Sequence, residues 1–244
     1  MDGTIVKEPG KTGSQWRILY SLQLSTLMCD FFEVTASGGA GNGESLNRLT
    51  VAPRETILAD AGYCSIGGFE YVQRKGADLL VRVNPQAFVA YTHLGKRFGL
   101  AAQLKCLSRI GQVGEWEVVV NGPTSSFIVR VCATRKSQPA IGRAHRRLQR
   151  RASKKQMTTR AETREFAKYV IVFTTRHDVS ATRILDWYRS RWQIEIVFKR
   201  LKSLAQLGHL PKREDRSSRS WLYAKLLVAL LTQELIRVGN DTSP

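Results

Sequence analysis

Tyr188, Arg191, Glu195 and Lys202 are spaced by three, four and seven positions. On an α-helix at about 100° per residue, all four fall within an arc of roughly 60°. One carboxylate is thereby set among two cations and a phenol. Such a face can hold a metal ion against a phosphate, the acid binding the cation while Arg and Lys engage the anion. The bland alternative is a solvated charged face with Tyr188 as a half-buried aromatic. Against it stands a second set on the same segment, roughly Ser180 to Leu204. Ile184, Leu185, Trp187, Ile194, Val197, Phe198 and Leu201 are enough to seat part of a helix in a core.

Written as Y-(2)-R-(3)-E-(6)-K, the segment YRSRWQIEIVFKRLK resembles the signature of DDE transposases of the insertion-sequence-four type, a bacterial DNA-recombining family. Two further segments agree with it. DGTIVKEPGKTGSQWRILYSLQL resembles the stretch carrying that family's first Asp, and ILADAGYCSIGGFEYVQRKGADLLVRVNP the one carrying its second. Asp2, Asp60 and Glu195 then stand in the family's D, D, E order, and the resemblance runs over nearly the whole chain. Taken alone, Asp60 before Ala-Gly could equally start a turn or cap the next helix.

The resemblance implies an α/β fold: an RNase H-like mixed sheet with flanking helices and a β-rich insertion between the second Asp and the Glu helix. Residues 1–84 would begin the catalytic domain, 85–165 would hold the insertion and a basic connector, and 166–244 would complete the domain. Asp2, Asp60 and Glu195 would be the catalytic and metal-binding carboxylates. Their metal would be magnesium, or manganese in its place. Two divalent cations roughly 3.5 to 4 Å apart can stabilise both the attacking and the leaving oxygen of a phosphodiester. Water would free a 3′ hydroxyl at a transposon end, a hairpinned end would follow, and strand transfer into target DNA would complete the reaction. Arg191 and Lys202 would hold phosphates, and the Tyr188 hydroxyl would contact the DNA backbone. A homodimer pairing two ends in a synaptic complex is the implied assembly.

Composition points independently to a polyanion. Lys and Arg total 38 against 20 Asp and Glu, a formal net charge of +18. Charge of this size makes binding to nucleic acid steeply dependent on salt. Alone, it does not choose between DNA, RNA and an acidic membrane. The longest apolar run, Leu226 to Leu231, is too short to span a bilayer, and no charged and apolar leader is expected. Cys29, Cys64, Cys106 and Cys132 are far apart and form no C-x-x-C or Cys/His cluster, which argues against a zinc site or a disulfide framework. The expected location is the bacterial cytoplasm, at the nucleoid when bound to DNA.

The elements that must position these groups read as follows. Trp16 to Leu24 and Phe31 to Thr35 alternate like strands, and SGGAGNGES reads as a loop opening a short helix, Glu44 to Leu49. That loop lacks the Lys-Ser/Thr of a P-loop and is assigned no nucleotide role. Thr56 to Ala59 reads as a strand ending at Asp60, followed by a helix near Ile66 to Lys75 and a strand from Asp78 to Val83. Asp60 is thereby placed at the C-terminal end of a strand, where open α/β sheets gather ligands. Glu117 to Val120 and Phe127 to Ala133 read as inserted strands, with Trp116 either in the core or stacked on an unpaired base. GRAHRRLQRRASKKQMTTR, from Gly142 to Arg160, is the strongest basic run. It reads either as a phosphate-tracking surface or as a solvated connector. Tyr169 to Thr174 is a last buried strand, and Trp221 to Ile236 an amphipathic helix covering the sheet.

Asp2 directly follows Met1, so the first half of its strand is expected to be missing. The expectation is a truncated transposase whose first Asp is frayed and whose activity is impaired. Two other readings stay open: a noncatalytic basic DNA-binding remnant, and an RNA-binding basic protein that would leave the spaced Tyr, Arg, Glu and Lys unexplained.

Overall fold

The computed structural model describes residues 1–7, 15–39, 41–85, 88–208, 210 and 214–241. It separates into two compact units, one of Met1–Glu44 with Ser190–Pro244 and the other of Ser45–Arg189.

The first unit is built on an antiparallel three-stranded sheet, β1 (Asp2–Lys7), β2 (Gln15–Leu22) and β3 (Cys29–Ala36), in that order. Pairing starts at the first residue of β1, with Asp2 opposite Tyr20 and Val6 opposite Trp16. The expected fraying of Asp2 is therefore not observed. Successive side chains of a strand alternate between faces, so Asp2, Thr4 and Val6 share one. Val6 is fully buried with Ile18, Tyr20 and Val34. Onto this core pack helix α6 (Trp192–Ser203), through Ile194, Phe198 and Leu201, and helix α7 (Asp215–Asp241), through Leu222 and Leu226. The rings of Tyr20 and Phe198 meet edge-on at 5.9 Å. Burial is the main cause holding the Tyr20 phenol well above its usual pKa, so it remains neutral.

The second unit holds a five-stranded mixed sheet in the order β4 (Thr56–Ala59), β5 (Asp78–Arg82), β8 (Tyr169–Thr174), β7 (Ser126–Arg135), β6 (Val113–Asn121). β4 and β5 run parallel, and the crossover between them contains α1 (Ile66–Arg74). Parallel neighbours need such a crossover, whereas the tight turn at residues 122–125 suffices for antiparallel β6 and β7. The strands expected at Glu117 to Val120 and Phe127 to Ala133 are present within β6 and β7, which form a hairpin, and β7 goes on to pair with β8. Short helices α2 (Leu100–Lys105) and α4 (Ala161–Phe166) flank a longer one, α3 (Gln138–Lys154), which occupies most of the basic run. Phe69 of α1 stacks on Phe173 of β8 with centroids 4.6 Å apart, and the Phe88 ring meets Phe173 edge-on. Helix α5 (Ala181–Arg189) buries Ile184, Leu185 and Tyr188 with Leu80, Cys132 and Val172. Trp116 lies over Gly114 and tilts against Phe98, which supports its reading as a packing residue.

Two buried charges fasten this unit. The Arg130 side chain is 4% exposed and donates to Glu115 and to the backbone carbonyls of Arg176 and Val179. Glu70 of α1 is 5% exposed. It accepts from the Thr124 hydroxyl, from the Ser125 hydroxyl at 2.9 Å and from the Thr124 amide, which ties α1 to the β6–β7 turn. These bonds, the Thr124 hydroxyl first, hold its carboxyl below the usual range.

The helix expected over Ser180 to Leu204 is two helices, α5 and α6, broken at Ser190–Arg191. The residues explain the break. On one ideal helix the buried stripe of Ala181, Ile184, Leu185 and Tyr188 would stand roughly 120° away from that of Ile194, Phe198 and Leu201. Each stripe is seated in the core of a different unit. The turn at Ser190 resets the phase. The expected helix Glu44–Leu49 contracts to a single 3-10 turn, Leu46–Arg48, in which the Ser45 hydroxyl accepts the Asn47 amide. Ala40 of the glycine-rich loop before it lies outside the described residues.

Candidate active site

Arg191, Ile194, Phe198 and Leu201 follow steps of three, four and three, so Arg191 extends the buried stripe of α6 toward its N-terminus. Its side chain is accordingly only 13% exposed. The Asp2 side chain points to the same side of β1 as Val6, against which α6 packs. This arrangement draws together two carboxylates that are remote in the chain. One guanidinium nitrogen of Arg191 donates to Asp2 Oδ2 at 3.0 Å, and the other donates to Glu195 Oε1 at 2.6 Å. Asp2 Oδ1 also accepts the Gly3 amide at 2.8 Å. Glu195 lies in the first turn of α6, where the helix dipole favours negative charge. It is the more open of the pair, 53% exposed against 18% for Asp2.

Asp60 belongs to the second unit and follows the C-terminal end of β4. Its backbone carbonyl accepts the Tyr63 amide, starting a 3-10 turn at Ala61–Tyr63. Its side chain does not cap that turn. Instead the Tyr188 hydroxyl approaches Asp60 Oδ1 at 3.4 Å, a long hydrogen bond, while the Tyr188 ring is buried against α5's own core. The phenol expected to touch a DNA backbone thus rests on the second carboxylate of the D, D, E order. Lys202 is exposed on α6, seven residues past Glu195 and therefore about 10.5 Å further along the axis.

Within the first unit, then, Asp2, Arg191 and Glu195 meet; within the second, Asp60 and Tyr188 meet. Helical spacing flags Tyr188, Arg191 and Glu195, and the family resemblance flags Asp2 and Asp60, but neither gives their partners. Arg191 was expected on phosphate, and here it neutralises two acids. Glu44 stands inside a glycine-rich segment, yet its carboxylate lies against Gly3, where an added Cβ would sit 2.9 Å from Glu44 Oε1. It also reaches Arg17 at 4.0 Å. No spacing pattern singles it out.

The donor chemistry suits a hard divalent cation, since Asp2 and Glu195 direct carboxylate oxygens at a common positive charge. As they stand, no three His, Cys, Asp or Glu among the described residues are grouped closely enough to hold a metal ion. In the first unit the Arg191 guanidinium already engages the pair. All four cysteines are free. No helix among the described residues is long and apolar enough to cross a membrane.

Comparison with known proteins bears on this geometry. Residues 43–231 match the family described as the transposase DDE domain. The matched span contains Asp60, Tyr188, Arg191, Glu195 and Lys202 and begins after Asp2. Among similar proteins is the transposase for insertion sequence element IS421 from Escherichia coli, 31% identical over the whole of this chain and 67% of its own length. The transposases for IS231B and IS231E from Bacillus thuringiensis are 22% and 25% identical, each over 75% of this chain and 41% of their own length.

Proposed function

Because the chain belongs to the DDE-domain transposases, we propose that it cuts and rejoins DNA at the ends of an insertion element, with Asp2, Asp60 and Glu195 as its three working carboxylates. The observation that carries this reading is the convergence of Asp2 and Glu195 on one guanidinium, from the start of the first strand and the first turn of α6. Two acids so remote in sequence, both directing carboxylate oxygens at one positive charge, have the character of a cation site.

Asp2, Asp60 and Glu195 would hold magnesium, or manganese in its place. When bound, such a cation stabilises negative charge on the attacking and leaving oxygens of a phosphodiester. The protein's own residues do the rest. Arg191 holds Asp2 and Glu195 while no substrate is present. On binding, its planar fork exchanges carboxylates for a DNA phosphate, which it can grip through two parallel N–H bonds. Tyr188, its ring fixed by packing, orients Asp60 through the hydroxyl. Lys202 adds a positive charge further along α6 and steadies the backbone as a point charge. Pairing two element ends calls for two copies of the chain in one complex at the nucleoid.

The test uses the purified chain and a supercoiled plasmid carrying the element with both flanks. Nicking or excision that needs magnesium and is lost in both Asp60→Asn and Glu195→Gln supports the proposal. Salt-sensitive binding with no cleavage by the unaltered chain would favour the noncatalytic DNA-binding reading instead.

A further inference from the structure

We propose that the arginine face of α3 is a second DNA-binding surface, a ledge that grips the phosphate backbone without reading bases. This rests on the DNA reading above and adds to it a site distinct from the carboxylates. Helix α3 begins after Ser137 with a proline in its first turn, a position where the missing N–H costs nothing. At about 100° per residue, Arg143, Arg146, Arg147, Arg150, Arg151 and Lys154 fall within an arc of roughly 140°. All six are exposed. The opposite side carries Ile141, Leu148 and Ala152, buried or half-buried, and His145 fixes it to the α4 segment through a contact with the Arg164 carbonyl at 3.0 Å.

Three features distinguish this face from an ordinary solvated helix. First, α3 contains no acidic residue. Neighbours three or four positions apart therefore repel, with no carboxylate on the helix to offset them. A helix needing only solubility would interleave Glu. Second, none of the six cations takes part in an ion pair among the described residues. Third, five of the six are Arg, whose fork matches phosphate geometry in a way that a lysine point charge does not.

Dimensions identify the partner. From residue 143 to residue 154 the axis advances about 16.5 Å. Duplex DNA offers one phosphate per strand every ~3.4 Å of its own axis, hence about five per strand over that length. Six cations facing about five phosphates is a close charge match. A membrane surface fits poorly, because the apolar side of α3 is turned into the protein, leaving nothing to insert between lipids. The cations lie in two rows at intervals of four residues with no amide or aromatic side chain in the arc, which suits backbone contact over base recognition.

The experiment measures binding of the full chain to a mixed-sequence 30-base-pair duplex by fluorescence anisotropy over a series of salt concentrations. The variant carries Arg146→Gln, Arg150→Gln and Lys154→Gln together. The inference predicts that the slope of log affinity against log salt becomes shallower by about 2.7, three lost contacts at ~0.9 each. It predicts no dependence of that change on duplex sequence and an unchanged helical circular dichroism signal. Arg146→Lys with Arg150→Lys, which keeps the charge, retains the original slope. A glutamine variant that binds with the original slope overturns the ledge while leaving the DNA reading intact. A slope lost equally in the lysine variant also overturns it, because the effect would then not be one of charge. Failure of the unaltered chain to bind duplex, or tighter binding to RNA of the same length, overturns the DNA reading and the ledge with it.

Discussion

Arg191 is expected to compete with divalent cations for Asp2 and Glu195, and the size of that competition follows from the geometry. Carboxylates take magnesium at about 2.0–2.1 Å. Asp2 and Glu195 oxygens lie 3.0 and 2.6 Å from the guanidinium nitrogens. A cation on these oxygens would therefore stand within about 5 Å of a guanidinium nitrogen in its present place. Even with the dielectric of bulk water, one positive charge opposes a divalent ion at that separation by about 1.7 kcal/mol, more than tenfold in affinity. Arg191→Ala should thus bind manganese at least about tenfold more tightly than the unaltered chain at low ionic strength, without DNA. Arg191→Lys keeps the charge and should remain near the original affinity. The substitution to Ala also removes an exposed i,i+4 pair worth about 0.3–0.5 kcal/mol and a less exposed one worth about 1–2 kcal/mol, so urea denaturation should register a modest loss of stability. The assay is calorimetric titration with manganese, followed by the spin signal of the free ion. Manganese binding that is unchanged or weaker in Arg191→Ala, with the fold intact, would refute the competition.

Three further outcomes concern the scaffold. Glu70→Gln should flatten the pH dependence of stability. Because the native carboxyl is held below its unfolded value, its contribution is present above about pH 4.3 and is lost as pH falls through the lower folded value; urea midpoints from pH 7 to pH 3 measure it. Arg130→Ala should cost about 3 kcal/mol by leaving the carbonyls of Arg176 and Val179 without their charged donor, and Arg130→Lys should recover only part of it, read as unfolding free energies in urea. Phe173→Ala should cost about 3–5 kcal/mol, since Phe69 and Phe88 both pack on the ring and a cavity would replace it; thermal unfolding should show a large drop in midpoint.

Legibility in the sequence followed burial. Thr56–Ala59 and Tyr169–Thr174 keep the same limits in the structure, because each is an apolar run stopped by residues that leave the sheet. The basic run did not read as a helix, since Ile141, Leu148 and Ala152 are sparse beside the charges, although Arg itself favours helix. The break at Ser190–Arg191 is hidden because no Gly or Pro marks it and apolar residues stand on both sides of it. Only the knowledge that two cores are being served reveals the change of phase. For the site, helical spacing singles out Tyr188, Arg191 and Glu195, and the family resemblance adds Asp2 and Asp60. Which side chains meet depends on strand register and helix packing between distant segments. The pairing of Arg191 with Asp2, like that of Tyr188 with Asp60, therefore could not be read from spacing.

The proposal that Asp2, Asp60 and Glu195 serve a common cation is checked by manganese titration followed by electron paramagnetic resonance in Asp2→Asn, Asp60→Asn and Glu195→Gln. Each substitution alone should weaken the same manganese signal by about tenfold or more. Manganese binding left intact by Asp60→Asn, while Asp2→Asn or Glu195→Gln abolishes it, would overturn that proposal.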